Sequence, residues 1–163
     1  MRKRLLSTFY IVILVLFISV KISVVAQAST KQTILDGSYL THDDESIGYA
    51  QNITRGEDLL TGYSKCVRLS AGKIYAGGTT IAAHNVDQVK VAVIIERAKE
   101  GDTAWEFYDS WQKELADSDR VGSNRTLMVE GGYYYRVRST HSANYDMSSS
   151  FTDGVYIESP FNK

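Results

Sequence analysis

The sequence has one cysteine and one proline among its 163 residues. With Cys66 alone, no disulfide can form within the chain, so the fold must hold by packing. Pro160 falls after the last strand-like run, so no strand interior meets a residue without an N–H. Histidine is scarce as well: His42, His84 and His141 lie far apart and follow no metal-ligand spacing. A G-x-S-x-G elbow is missing, and no histidine stands near Cys66 in sequence to activate its thiol. After residue 28 no apolar stripe at helical spacing exceeds two turns. These absences leave no catalytic residue, no metal-ligand set and no cofactor site to name. The expectation is a protein that is not an enzyme.

What is present begins with an export signal. Met1-Arg2-Lys3-Arg4 is basic, Leu5 to Val20 is almost wholly apolar, and Ala26-Gln27-Ala28 supplies a small-x-small cleavage site before Ser29. Residues 1–28 therefore read as a signal peptide and 29–163 as the secreted domain. Lys21 interrupts the apolar run; without it, Leu5 to Ala26 would reach the about 20 residues that span a bilayer. Membrane attachment is expected only if this segment stays uncleaved. No cysteine lies near position 28, which excludes a lipid anchor there.

Cleavage after residue 28 leaves 135 of the 163 residues, the size of one domain. It removes Arg2, Lys3, Arg4 and Lys21 and no acid, so the formal net charge goes from −1 to −5. An acidic domain has no electrostatic reason to bind nucleic acid or an anionic membrane surface.

Period-two patterning dominates the remainder. Val89, Val91, Val93 and Ile95 alternate with Lys90, Ala92, Ile94 and Glu96, as a strand with one buried face requires. The turn Lys99-Glu100-Gly101-Asp102 joins this run to Trp105, Phe107, Asp109 and Trp111, giving a first hairpin. Ser110 to Ala116 also has Trp111 and Leu115 at helical spacing, but the aromatic alternation favours strand. Leu127-Met128-Val129, Glu130-Gly131-Gly132 and Tyr133 to His141 give an expected second hairpin. Further strands are expected at Ile47 to Ile53, Tyr63 to Ser70, Lys73 to Ala76, Thr79 to Ala82 and Val155 to Ile157, with Gly77-Gly78 as a bulge or bend. Cys66, in the alternating run Tyr63 to Leu69, reads as a small buried residue. Seven or eight short strands predict an all-β fold, an antiparallel sandwich or barrel, of which a β-sandwich is the expectation.

Leu35-Asp36-Gly37-Ser38-Tyr39-Leu40, Thr54-Arg55-Gly56, Gly72 to Thr80, Gly131 to Ala143 and Ser148 to Ile157 form a distinctive set. Together they resemble an uncharacterised family, a domain of unknown function, of small secreted proteins from clostridium-like Gram-positive bacteria. The likeness covers nearly all of Leu35 to Ile157. It implies secretion and a β-rich fold, and it implies no activity, cofactor or site residue.

The acid clusters His42-Asp43-Asp44-Glu45 and Asp117-Ser118-Asp119 lack the D-x-D-x-D-G spacing of a calcium loop and read as solvated charge. A calcium-binding or hydrolytic domain using such loop carboxylates is the alternative. His141 reads as a strand-end histidine bonded to a loop carbonyl. Asn52-Ile53-Thr54 and Asn124-Arg125-Thr126 fit the glycosylation sequon, which carries little weight in the exported bacterial protein that the resemblance implies. Alternation places Tyr133, Tyr135 and Val137 in the core and Tyr134, Arg136 and Arg138 outside. Tyr and Arg dominate binding hot spots, so this row is the expected contact surface. The competing expectation is that the two arginines pair with acids such as Glu96 or Glu106 across strands. The function expected is extracellular contact with cell-wall glycan or another protein; a bacteriocin-like effector is a further alternative.

Overall fold

The computed structural model describes residues 33–51 and 56–160. The expected signal peptide lies outside the described residues, as do Asn52 and Ile53 at the end of one expected strand. The described chain is all strand, with no helix: β1 (Ile34–Leu35), β2 (Ser38–Thr41), β3 (Glu45–Tyr49), β4 (Leu59–Ser70), β5 (Lys73–Ala98), β6 (Glu106–Met128), β7 (Tyr133–Ala143), β8 (Asp146–Phe151) and β9 (Gly154–Ile157). They form one mixed sheet in the order β1-β2-β9-β7-β5-β4-β3, with β6 on β5 and β8 on β7, curled into a half-barrel. The pairing is not purely antiparallel, because β2 runs parallel to β9 with Leu40 opposite Gly154.

The 26-residue β5 and 23-residue β6 make one long hairpin. Its turn is the expected one: Gly101 takes φ 92°, and Asp102 accepts a hydrogen bond from the Lys99 N–H at 2.7 Å. Three expected strands, Lys73 to Ala76, Thr79 to Ala82 and the valine run, are thus a single strand. Gly77 and Gly78 read as a break, yet the ladder passes them in regular register, Lys65↔Gly77 and Ser64↔Gly78. They are glycine because neighbours come close: a Cβ on Gly78 would meet Ser139 Oγ at 2.4 Å. The real interruption falls between Ile81 and Val86. There the sheet turns, and β4 with the first half of β5 lies against β7 and β8. Ser64 Oγ on β4 stands 2.8 Å from Ser139 Oγ on β7.

The second expected hairpin does not form. β6 ends paired to the start of β5, Met128 opposite Lys73, while β7 begins at the far end of β5, Tyr134 opposite Ala98. Glu130-Gly131-Gly132 therefore carries the chain from one half of the doubled-back sheet to the other. Gly132, at φ 86°, turns it, and its N–H donates to the Ile157 carbonyl at 2.7 Å.

The core lies between the two halves. Val89, Val91, Val93 and Ile95 point inward as their alternation demands, against Tyr135, Val137, Ile74, Ala76 and Cys66. Burying each large aliphatic is worth roughly 1.5–3 kcal/mol. Cys66 is fully buried, and desolvation pushes its thiol up to about 12, far from a nucleophilic thiolate. Trp105 and Trp111 are both odd-numbered but face opposite ways, because a bulge at Tyr108 shifts the register between Ile95↔Asp109 and Glu96↔Phe107. Trp111 joins this core; Trp105 joins a second cluster with Leu35, Leu40, Ala98 and Tyr134 on the opposite face.

The contact between the halves generates a prediction. A Cβ on Gly62 of β4 would lie 2.3 Å from the His141 ring, inside a packed core. Gly62→Ala is expected to destabilise the fold by about 2 kcal/mol or more, read by urea denaturation. Gly101→Ala, which meets no atom within 4 Å, serves as the comparison for backbone strain alone at φ 92°.

Candidate functional site

The outer face of the β6-β5-β7-β8 sheet is built from rungs fixed by register. Ser110, Ile94, Arg138 and Phe151 form one rung; Gln112, Ala92, Thr140 and Ser149 the next; Glu114, Lys90, Ser142 and Met147 a third. A groove of about 270 Å³ lies over Ile94, Arg138, Thr140, Ser149 and Phe151. A second of about 380 Å³ continues past Thr140 over Ala92, Lys90, Gln112, Ser142 and Met147. Hydroxyl and amide groups make the walls, small aliphatics the floor, and Arg138 the one guanidinium exposed along its length.

One end of this face is closed. The arm made by β1 and β2 folds over it, and Trp105 Nε1 donates to the Leu35 carbonyl at 2.9 Å. Beneath the arm, Arg136 is 1 % exposed. Its Nε donates to Glu96 at 2.7 Å, its Nη2 to Asp36 at 2.8 Å, and its Nη1 to the Asp36 carbonyl and Ser38 Oγ, each at 3.0 Å. The Trp105 ring covers the guanidinium at 4.5 Å. A buried arginine needs this degree of satisfaction, since an unpaired buried charge is very costly. The hydrogen bond from Arg136, and then its charge, hold the Asp36 carboxyl below its usual value.

The expected contact row is therefore corrected at two of its three positions. Tyr134 and Arg136 are buried, and only Arg138 is exposed. Alternation sorted the faces properly: Tyr135 and Val137 are fully buried on the inner side. What strand periodicity does not reveal is a second layer, here the β1–β2 arm, over part of the outer face. Leu35, Leu40 and Trp105 were the signal for it. The competing expectation of cross-strand pairing holds for Glu96, which takes Arg136 and, at 3.5 Å, Arg138. Glu106 pairs instead with Arg97. Of the first acid cluster, Asp44 is tied to Arg68, and Glu45, which opens β3, to Lys65. Among the described residues no three His, Cys, Asp or Glu side chains are grouped to hold a metal ion.

His141 lies inside the core rather than at a strand-end loop. Nδ1 is 3.0 Å from Thr80 Oγ1 and Nε2 is 2.7 Å from Ser150 Oγ. Thr80 gives its hydroxyl hydrogen to the Lys90 carbonyl at 2.8 Å, so its oxygen accepts from Nδ1–H. Nε2 then accepts from Ser150. A serine–histidine pair at this distance has the geometry of an activated nucleophile, but both side chains are sealed from solvent. Desolvation lowers the His141 pKa to about 4, keeping the ring neutral.

Compared with known families, curated proteins and solved structures, the chain matches none.

Two outcomes are expected. Glu96→Gln leaves the Arg136 charge short of its best partner and costs about 3 kcal/mol in chemical denaturation, whereas Arg136→Met with Glu96→Leu costs markedly less. His141 binds its proton less readily folded than unfolded, so stability is full above pH 6.5 and falls as pH drops toward 4, by about 3 kcal/mol in total. Urea unfolding at pH 7 and pH 4 tests this; His141→Asn should flatten that part of the pH dependence.

Proposed function

We propose that this is an exported, non-catalytic contact protein whose outer sheet groove binds cell-wall glycan. In this reading the doubled-back sheet serves as a sandwich-like scaffold: one layer packs the core, the other presents the groove. The observation that carries the proposal is the groove itself, open along the β5-β7-β8 rungs and ending at the Arg136 wall. Hydroxyls and amides at Thr140, Ser142, Ser149 and Gln112 offer the donors and acceptors that sugar hydroxyls need. The floor of Ile94 and Ala92, with the side of Phe151, offers apolar surface to a pyranose face. Arg138 is held only at 3.5 Å by Glu96, so its guanidinium is available to a carboxylate on the glycan. The N-terminal signal pattern supports export, which would bring the chain to such a ligand. A sealed His141–Ser150 pair supports contact over hydrolysis as the mode of action.

The test is co-sedimentation of the full chain with insoluble peptidoglycan. Wild type is expected in the pellet, and Arg138→Ala with Thr140→Tyr is expected to bind at least 10-fold more weakly while its circular dichroism is unchanged. Equal binding by that variant would remove the groove from the account, and a wild type that stays in solution would remove the glycan.

A further inference from the structure

We propose that β6 is a self-association edge, pairing antiparallel with β6 of a second copy of this chain about a two-fold axis at Asp117. β6 hydrogen-bonds to β5 on one side only; among the described residues no strand lies on its other side. Such an edge presents a row of unpaired N–H and C=O groups and is a template for another strand. At 23 residues it is far longer than the short edges that proteins usually tolerate.

Its charges select both the partner and the register. When two copies of β6 overlap along their whole length, Glu106 faces Met128, Asp109 faces Arg125, and Glu114 faces Arg120. The two-fold axis repeats each opposition, so four complementary pairs form. Each also agrees in face. Asp109 and Arg125 lie opposite Ile95 and Ala76, on the inner side; Glu114 and Arg120 lie opposite Lys90 and Ile81, on the outer side. Sliding the copies by two residues, the smallest shift that preserves faces, breaks both oppositions. One direction sets Asp117 against Asp119.

Among the described residues Asp109, Glu114, Arg120 and Arg125 form no ion pair within their own chain, and neither do Lys113, Asp117 and Asp119 of the same strand. Glu106 is matched by Arg97. Glu114 accepts a hydrogen bond from Gln88 and Arg125 lies over the Trp111 ring, so each is held in place near the edge. The bend in β6 does not oppose pairing. It falls between Ser118 and Arg120, next to Asp117 at φ 47°. An axis along the sheet normal at that corner carries each bent strand onto the other with both concave faces on one side. The only like charges to meet are the two Asp117, at the corner where the ladder is interrupted.

The experiment is sedimentation velocity on the full chain with two charge-reversed variants. One carries Asp109→Arg and Glu114→Arg; the other carries Arg120→Glu and Arg125→Asp. Each alone is expected to weaken self-association at least 10-fold, with the circular dichroism of wild type. Mixed in equal amounts, the two are expected to associate with one another, because all four oppositions are restored between unlike copies. A monomeric wild type, self-association indifferent to either reversal, or a mixture that fails to associate would each overturn the proposal.

Discussion

A regular strand of 26 residues would stretch roughly 85 Å, several times the radius of a domain of this size. β5 can serve one hydrophobic core only by doubling back, and the rest of the fold follows from that requirement. Its partner β6 bends with it, β4 lines the first half, and β7 lines the second half on the same side. The valines of one half then meet the isoleucine and alanine of the other, and no disulfide is needed to hold them. Glycines at 62 and 78 let the two halves approach within van der Waals reach of His141 and Ser139. The curl also turns the opposite face of β5, β7 and β8 outward, which is how the groove comes to exist.

Much of this was readable from residue spacing. The Val89 to Ile95 alternation fixed the buried face of β5, and the Lys99 to Asp102 turn fixed the β5–β6 hairpin. Cys66 is a buried small residue, as its place in the alternating run implied. What spacing could not show were contacts between elements far apart in the chain. A glycine pair looks the same whether it bends a strand or admits a neighbour, so Gly77-Gly78 read as a break. Gly131-Gly132 looks the same whether it closes a hairpin or passes the chain across a doubled sheet. Tyr134 and Arg136 sit on the outward face, but outward became buried once β1 and β2 folded over them.

The outer face thus changes regime between two adjacent rungs. Opposite Glu96, Arg136 is desolvated, saturated with hydrogen bonds and structural. One rung on, opposite Ile94, Arg138 is wet and loosely held. Two arginines of the same type, two residues apart, are given different work by a short arm of chain. Glu96 touches both, so it links the rigid wall to the open groove.

The parallel seam between β2 and β9 joins positions far apart in sequence, Leu40 with Gly154. A polypeptide delivered N-terminus first cannot zip that seam until almost its whole length has emerged. The Arg136 wall, which needs Asp36 and Ser38 from the early arm, waits on the same event. Until then the groove has no closed end, so the finishing of the fold and the completion of the groove are one late step.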